Sequence, residues 1–247
     1  MPVENCPRCF GTGWMQQDSG GIPAVTRCPC DHEVRAARFA SRSGIPPLYA
    51  NASTENFQLP SDNPVAHRGL ASAMLAVRTY ARDYPAVDKP GLLFIGNTGV
   101  GKTHLATAAL RALIERGFEG IFYDYQNLLD RIRSGYDKTS GATDREAYRR
   151  ALEIEILLLD DLGAHRVTDW VEDTVTSILT HRCNFKKPAI VTTNLPPPGQ
   201  VSNASKDSLA DRIGMRAWSR LNEMCRIVTM PSVEDYRIRS RRTVIGS

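Results

Sequence analysis

"GLLFIGNTGVGKTHLATAALRALIERG", residues 91–117, joins a short apolar run to an amphipathic helix through a glycine-rich turn. The turn, Gly96-Asn97-Thr98-Gly99-Val100-Gly101-Lys102-Thr103, has glycines at its first and sixth positions followed by Lys and Thr, the pattern of a phosphate-binding loop. Backbone N–H groups of such a turn and of the helix behind it point at phosphate oxygens. The lysine supplies a cation to the β and γ phosphates, and the threonine hydroxyl can ligate Mg²⁺. All eight residues are the expected nucleotide-binding set, with a nucleoside triphosphate and Mg²⁺ as ligands.

Such a site needs an acid at the end of a neighbouring strand, and ILLLDDLG (residues 156–163) supplies two. Asp160 is expected to hold Mg²⁺ together with Thr103, and Asp161 to orient the attacking water. A third apolar run, PAIVTTN (188–194), ends in Thr192-Thr193-Asn194, whose amide can hold that water or the γ-phosphate. The three elements together point to nucleoside triphosphate hydrolysis.

The rhythm around them predicts the fold. Short apolar runs at GLLFIG, GIFYDY, EILLLDD, PAIVTTN and CRIVTM alternate with helical stretches at THLATAALRALIERG, QNLLDRIRSG, DREAYRRALE, DWVEDTVTSILTHRCN and RIGMRAWSRLNEM. That alternation predicts an α/β fold with a doubly wound, mainly parallel sheet. Upstream, one helix is expected from Asp31 to a stop at Gly44, an extended link at Pro46-Pro47, and a second helix from about Ala66 to Tyr84. No internal repeat is present.

The first 32 residues have a different character. They are rich in Gly, Pro and Cys and hold four of the six cysteines. Cys6-x₂-Cys9 and Cys28-x-Cys30 offer four thiolates, enough to close a structural Zn²⁺ site, and His32 leaves a Cys₃His set open. A closed site of that kind lends rigidity, since metal binding supplies folding free energy that a segment this small lacks. Cys183 and Cys225 lie in apolar stretches and are expected as buried thiols.

With 247 residues and 42% hydrophobic content, the chain is an ordinary globular one. No apolar run approaches the ~20 residues that span a bilayer, and the N-terminus lacks the order of a signal peptide, so the cytoplasm is expected and a membrane partner is not. The net charge of +4 arises in residues 201–247, where nine Lys/Arg stand against five Asp/Glu. Its last part, YRIRSRRTVIGS, suits a phosphate backbone, an acidic partner surface or simply solvent.

The combination GNTGVGKTHLA, LLLDDLGA, TDW, VTTNLP and RIGMRAWSRLNEMC resembles the AAA+ ATPases of the DnaC/DnaI replicative-helicase loaders and their IstB-type transposition relatives. SGIPPLYANASTENF (43–57) is similar to the stretch before the ATPase core in that family, and CPRCFGTGW…RCPC to the zinc-bearing N-terminus of many members. The resemblance implies a P-loop AAA+ core, residues 44–247, without a full helical lid, preceded by a zinc-binding, partner-docking segment, residues 1–43. It implies self-association into an ATP-dependent oligomer in which an arginine from the neighbour reaches the γ-phosphate. Arg220 matches that position, and Arg216, one helical turn earlier, is the second candidate. Asp161 stands where many AAA+ enzymes carry the longer glutamate, which implies slow basal hydrolysis. The implied partners are the replicative DNA helicase and single-stranded DNA, the latter met by Arg131, Arg133, Tyr136 and Lys138 through charge and base stacking. The alternative is an IstB-like ATPase that assembles on duplex DNA and assists a transposase. Tyr49 and Phe57 are candidates to hold the adenine.

Overall fold

The structure, a computed structural model, describes residues 6–19, 22–134, 143–164, 168–200 and 207–236. The chain opens on a hairpin in which β1 (Trp14–Ser19) pairs antiparallel with β2 (Ile22–Arg27). This hairpin was not among the expected elements. Its signal is Gly20-Gly21 between the strands, a pair suited to the positive φ of tight hairpin turns. Helix α1 (Pro29–Arg42) follows, beginning two residues before Asp31 because Pro29 occupies the first turn, where its missing N–H costs nothing. Phe39 anchors α1 to the body of the molecule.

After a single 3₁₀ turn at Pro47–Tyr49 comes α2 (Pro64–Asp83), capped by Asn63, whose side chain accepts from the Ala66 N–H at 3.0 Å. The expected alternation then appears in order. It runs β3 (Gly91–Ile95), α3 (Lys102–Glu115), β4 (Gly120–Asp124), α4 (Tyr125–Ser134), α5 (Thr143–Glu153), β5 (Ile156–Asp160), α6 (Asp169–Asn184) and β6 (Ala189–Thr193). It closes with α7 (Leu209–Ile213), α8 (Met215–Met224) and β7 (Cys225–Thr229). The single helix expected around residues 212–224 is two, broken at Gly214, which sits at φ 84° where a side chain would be strained.

The five strands β3 to β7 form one wholly parallel sheet in the order β4-β5-β6-β3-β7. Both faces are covered, which is why the strands read as continuous apolar runs. Leu92, Phe94, Leu158 and Ile190 face α2 and α3, while their neighbours Leu93, Ile95, Leu159 and Val191 face α4 to α8. Between β6 and β7 only α7 and α8 are seen among the described residues, in keeping with the absence of a full helical lid.

The connections place the site. From β3 the chain crosses to the far edge at β4, and from β6 it passes to the other side of β3 to make β7. The carboxyl ends of β3 and β6 therefore flank a switch point, where open α/β sheets bind ligands. The opposite end of the sheet, before β5 and β6, is locked by Arg182 of α6. It is fully buried and donates to the carbonyls of Ala151, Leu152, Ile154, Glu155 and Pro188 at 2.6–3.3 Å. Burial pulls its guanidinium down to about 9, which leaves it charged at neutral pH.

Candidate nucleotide site

The glycine-rich turn sits between the end of β3 and the start of α3, as its sequence context requires. Gly99 and Gly101 adopt φ of 75° and 94°, values open to glycine without strain. Gly101 also permits a close approach, since a methyl group there would lie 2.5 Å from the Phe57 ring. Val100, almost fully buried among the residues between the sheet and α2, pins the turn to the core.

Lys102 is only 5% exposed. Its Nζ donates to the Asn97 carbonyl at 2.7 Å and to Asn194 Oδ1 at 2.6 Å. Both of these acceptors are neutral, and an anionic phosphate oxygen, which adds charge–charge attraction to the ammonium's hydrogen bond, can replace them. Asn194 Nδ2 in turn donates to Asp161 Oδ1 at 3.2 Å. The three expected elements are thus linked side chain to side chain across the ends of β3, β5 and β6.

Asp160 lies deeper than Asp161. Burial raises its carboxyl above the ordinary range, and bonds from Thr192 and Thr103 offset part of that rise. The Thr192 hydroxyl donates to Asp160 Oδ1 at 2.6 Å and accepts from the Asp161 N–H at 2.9 Å. Thr192, within the strand-end motif, is a site residue that the sequence does not single out. It holds the Asp160 carboxylate and the backbone of Asp161. A buried carboxylate beside the Thr103 hydroxyl, at the start of a phosphate-binding helix, suits a divalent cation. Asp160 and Thr103 would hold Mg²⁺, which when bound neutralises charge on the phosphate chain. Asp161 takes φ 56°, a left-handed conformation that Asp tolerates, and this turns its carboxylate toward the cavity.

That cavity, about 370 Å³, lies over the turn. Tyr49 and Phe57, the candidates to hold the adenine, line it on the linker side. Val233, Glu234 and Tyr236, from the segment after β7, line it as well. Nothing local in their sequence signals this, because they meet the turn more than 130 residues further along the chain.

The arginines expected to act from a neighbour lie elsewhere. Arg220 and Arg216 are on α8, outside the cavity lining, and Arg220 Nη1 donates to Glu223 Oε2 at 2.8 Å. Of the residues expected to meet DNA, Arg131 and Arg133 end α4. Arg131 acts on the Tyr123 hydroxyl, and the Arg133 guanidinium lies 4.7 Å from the centre of the Trp170 ring. Tyr136 and Lys138 lie outside the described residues.

In the head, the sulfurs of Cys6, Cys9, Cys28 and Cys30 all lie within 4.8 Å of one another. Cys6 and Cys28 are 3.7 Å apart and Cys9 and Cys30 are 3.5 Å apart. Four thiolates around a tetrahedral zinc with bonds of ~2.3 Å stand about 3.8 Å apart, so the cluster fits Zn²⁺. The N–H groups at Arg8 and Cys9 bring the Cys6 thiol down to about 7, favouring the thiolate a metal needs. His32 is not part of this group among the described residues. Its ring lies 3.2 Å from where a methyl on Gly117 would be, over the end of α3.

No helix among the described residues is long and apolar enough to cross a membrane. The family model for IstB-like ATP binding proteins matches residues 74–244. The replicative helicase loader DnaC of Escherichia coli K12 is 23% identical over 226 residues, covering 90% of this chain and 84% of that protein. The crystal structure of the DnaC helicase loader is 31% identical with a TM-score of 0.63, covering 75% of this chain and 100% of that one. The crystal structure of DnaI has a TM-score of 0.59 at 21% identity, covering 76% and 95%, a likeness of fold. Sheet order, linked nucleotide-site residues and these similarities agree, and the chain belongs to the IstB-like ATP-binding protein family, as an AAA+ protein of the DnaC type.

Proposed function

We propose that the protein is an ATP-dependent loader that binds the replicative DNA helicase and helps place it on single-stranded DNA, hydrolysing ATP where two copies of the chain meet. The observation that carries this reading is the Lys102–Asn194–Asp161 linkage across three strand ends, in a chain similar to a helicase loader along 90% of its length.

Each candidate residue has a role in this reading. The amides of residues 96–103 and Lys102 hold the phosphates, with Mg²⁺ on Thr103 and Asp160. Asp161 orients the water, and Asn194, joined to both Lys102 and Asp161, registers whether a γ-phosphate is present. Arg220, or Arg216 on the preceding turn, stabilises the transferred phosphoryl in the neighbouring copy, since neither lines the cavity of its own chain. Residues 1–43, stiffened by zinc on the four cysteines, grip the helicase, and residues 44–247 form the ATPase. Arg131, Arg133, Tyr136 and Lys138 meet the DNA.

The IstB-like alternative, assembly on duplex DNA with a transposase, shares the family model, but the named relatives are helicase loaders and weigh against it. The two readings separate in one experiment. Purified protein is mixed with the replicative helicase of its own cell, with and without ATP, and both complex formation and helicase transfer to single-stranded circles are measured. A complex and ATP-dependent transfer are expected. No complex, together with ATP-dependent assembly on duplex DNA, would replace the loader with the transposition partner.

A further inference from the structure

The nucleotide cavity has a wall made by the chain's own C-terminal segment. After β7 the backbone runs back along the phosphate-binding turn and is clipped to it in three places. The Met230 N–H donates to the Ile95 carbonyl at 2.7 Å, Asn97 Nδ2 to Ser232 Oγ at 3.1 Å, and the Tyr236 N–H to the Gly99 carbonyl at 3.1 Å. Pro231 rests on Gly69, and Val233 packs against the apolar side of α2 and α3. Residues 230–236 thus form a strap whose path follows the turn from its first residue to its middle.

The strap carries acid into a place built for anions. A methyl group on Gly99 would lie 2.1 Å from the carboxyl carbon of Asp235, so this carboxyl rests directly on the middle glycine of the turn. Of the strap's two acids Glu234 lines the nucleotide cavity, while Asp235 lies against the turn beside it. The turn's N–H groups, the start of α3 and Lys102 together gather negative charge. A carboxylate held against the turn repels a phosphate bound on it, and the repulsion grows with the phosphate's charge.

We propose that Asp235 is a charge brake on the phosphate-binding turn: it lowers nucleotide affinity in proportion to phosphate charge, and a bound triphosphate pushes the strap aside. This rests on the reading of the turn as a nucleotide site. It gives the strap a regulatory part, because Tyr236 immediately precedes the arginine-rich run RIRSRR at 237–242. Binding of a triphosphate then moves the anchor of the chain's most basic segment.

The test uses the full-length protein and calorimetric titration with Mg-ATP, Mg-ADP, AMP and adenosine. Asp235→Asn is expected to bind ATP about tenfold tighter than the parent, ADP by a smaller factor, and uncharged adenosine equally. Asp235→Glu, which keeps the charge, is expected to follow the parent. Unchanged ATP affinity in Asp235→Asn overturns the brake. Equal weakening for ATP and adenosine overturns it too, making Asp235 an acceptor for a nucleoside hydroxyl. Absence of any nucleotide binding in both parent and variant overturns the site reading and the brake with it.

Discussion

Two buried cations sit at opposite ends of the sheet's strands, and they are held in different ways. Arg182, below the amino ends of β5 and β6, donates to five backbone carbonyls that no side-chain motion can withdraw. Lys102, at the carboxyl ends, donates to one carbonyl and to the side chain of Asn194. A cation wrapped in fixed acceptors is part of the scaffold. One held by exchangeable, neutral acceptors is set to trade them for a better anion. The difference in partners, rather than in burial, separates structure from chemistry in this molecule.

The contrast can be broken most sharply at Arg182. Arg182→Leu removes a donor from five carbonyls, of which Pro188's alone keeps a second one in the Leu157 N–H, and is expected to cost about 3–5 kcal/mol of stability, read as a large drop in the denaturation midpoint. A variant that melts like the parent would end the assignment of Arg182 to the scaffold. Lys102→Ala should behave in the opposite way. Its phosphate affinity is expected to fall about 100-fold in calorimetric titration, while the nucleotide-free protein melts within about 1 kcal/mol of the parent, because a costly buried charge is removed along with its contacts.

The smallest effect sharpens the comparison with an anion at the nucleotide end. Burial raises the Asp160 carboxyl in the folded state above its unfolded value. The folded form therefore keeps that proton to higher pH. The group's contribution is fully present below the unfolded carboxyl pKa and is lost as pH rises through the folded one. Asp160→Asn, free of that loss, is expected to melt above the parent at pH 7 and level with it near pH 3, in the absence of nucleotide and Mg²⁺. Equal melting at both pH values would mean that Thr192 and Thr103 fully compensate the buried charge.

Where a function depends on a contiguous stretch, the sequence announces it. The turn at 96–103, the acids after ILLL and the polar end of PAIVTTN can each be read locally, and the structure joins them through Lys102, Asn194 and Asp161. The sheet is equally legible, because strands covered on both faces must be continuously apolar. What could not be read depends on distant partners. Arg182 sits in DWVEDTVTSILTHRCN looking like any surface cation, and only the carbonyls of residues 151–155 and 188 make it a core residue. The strap is hidden for the same reason, since Tyr236 meets Gly99 only once the sheet has formed. Gly214 was visible, but as one glycine inside a helical pattern it did not disclose that the chain breaks there.

The strand order also dictates a sequence of events during synthesis. Residues 91–95, which lead into the phosphate-binding turn, are flanked in the finished sheet by residues 189–193 and 225–229. A ribosome must have made the chain as far as residue 229 before that strand can acquire its second neighbour. The four cysteines, all within the first thirty residues, emerge long before and can close on a metal while the sheet is still unbuilt. The emerging chain thus has its head complete well before it can form a finished nucleotide site, and a polypeptide released early, short of residue 225, would carry the glycine-rich turn without the strand that holds it in place.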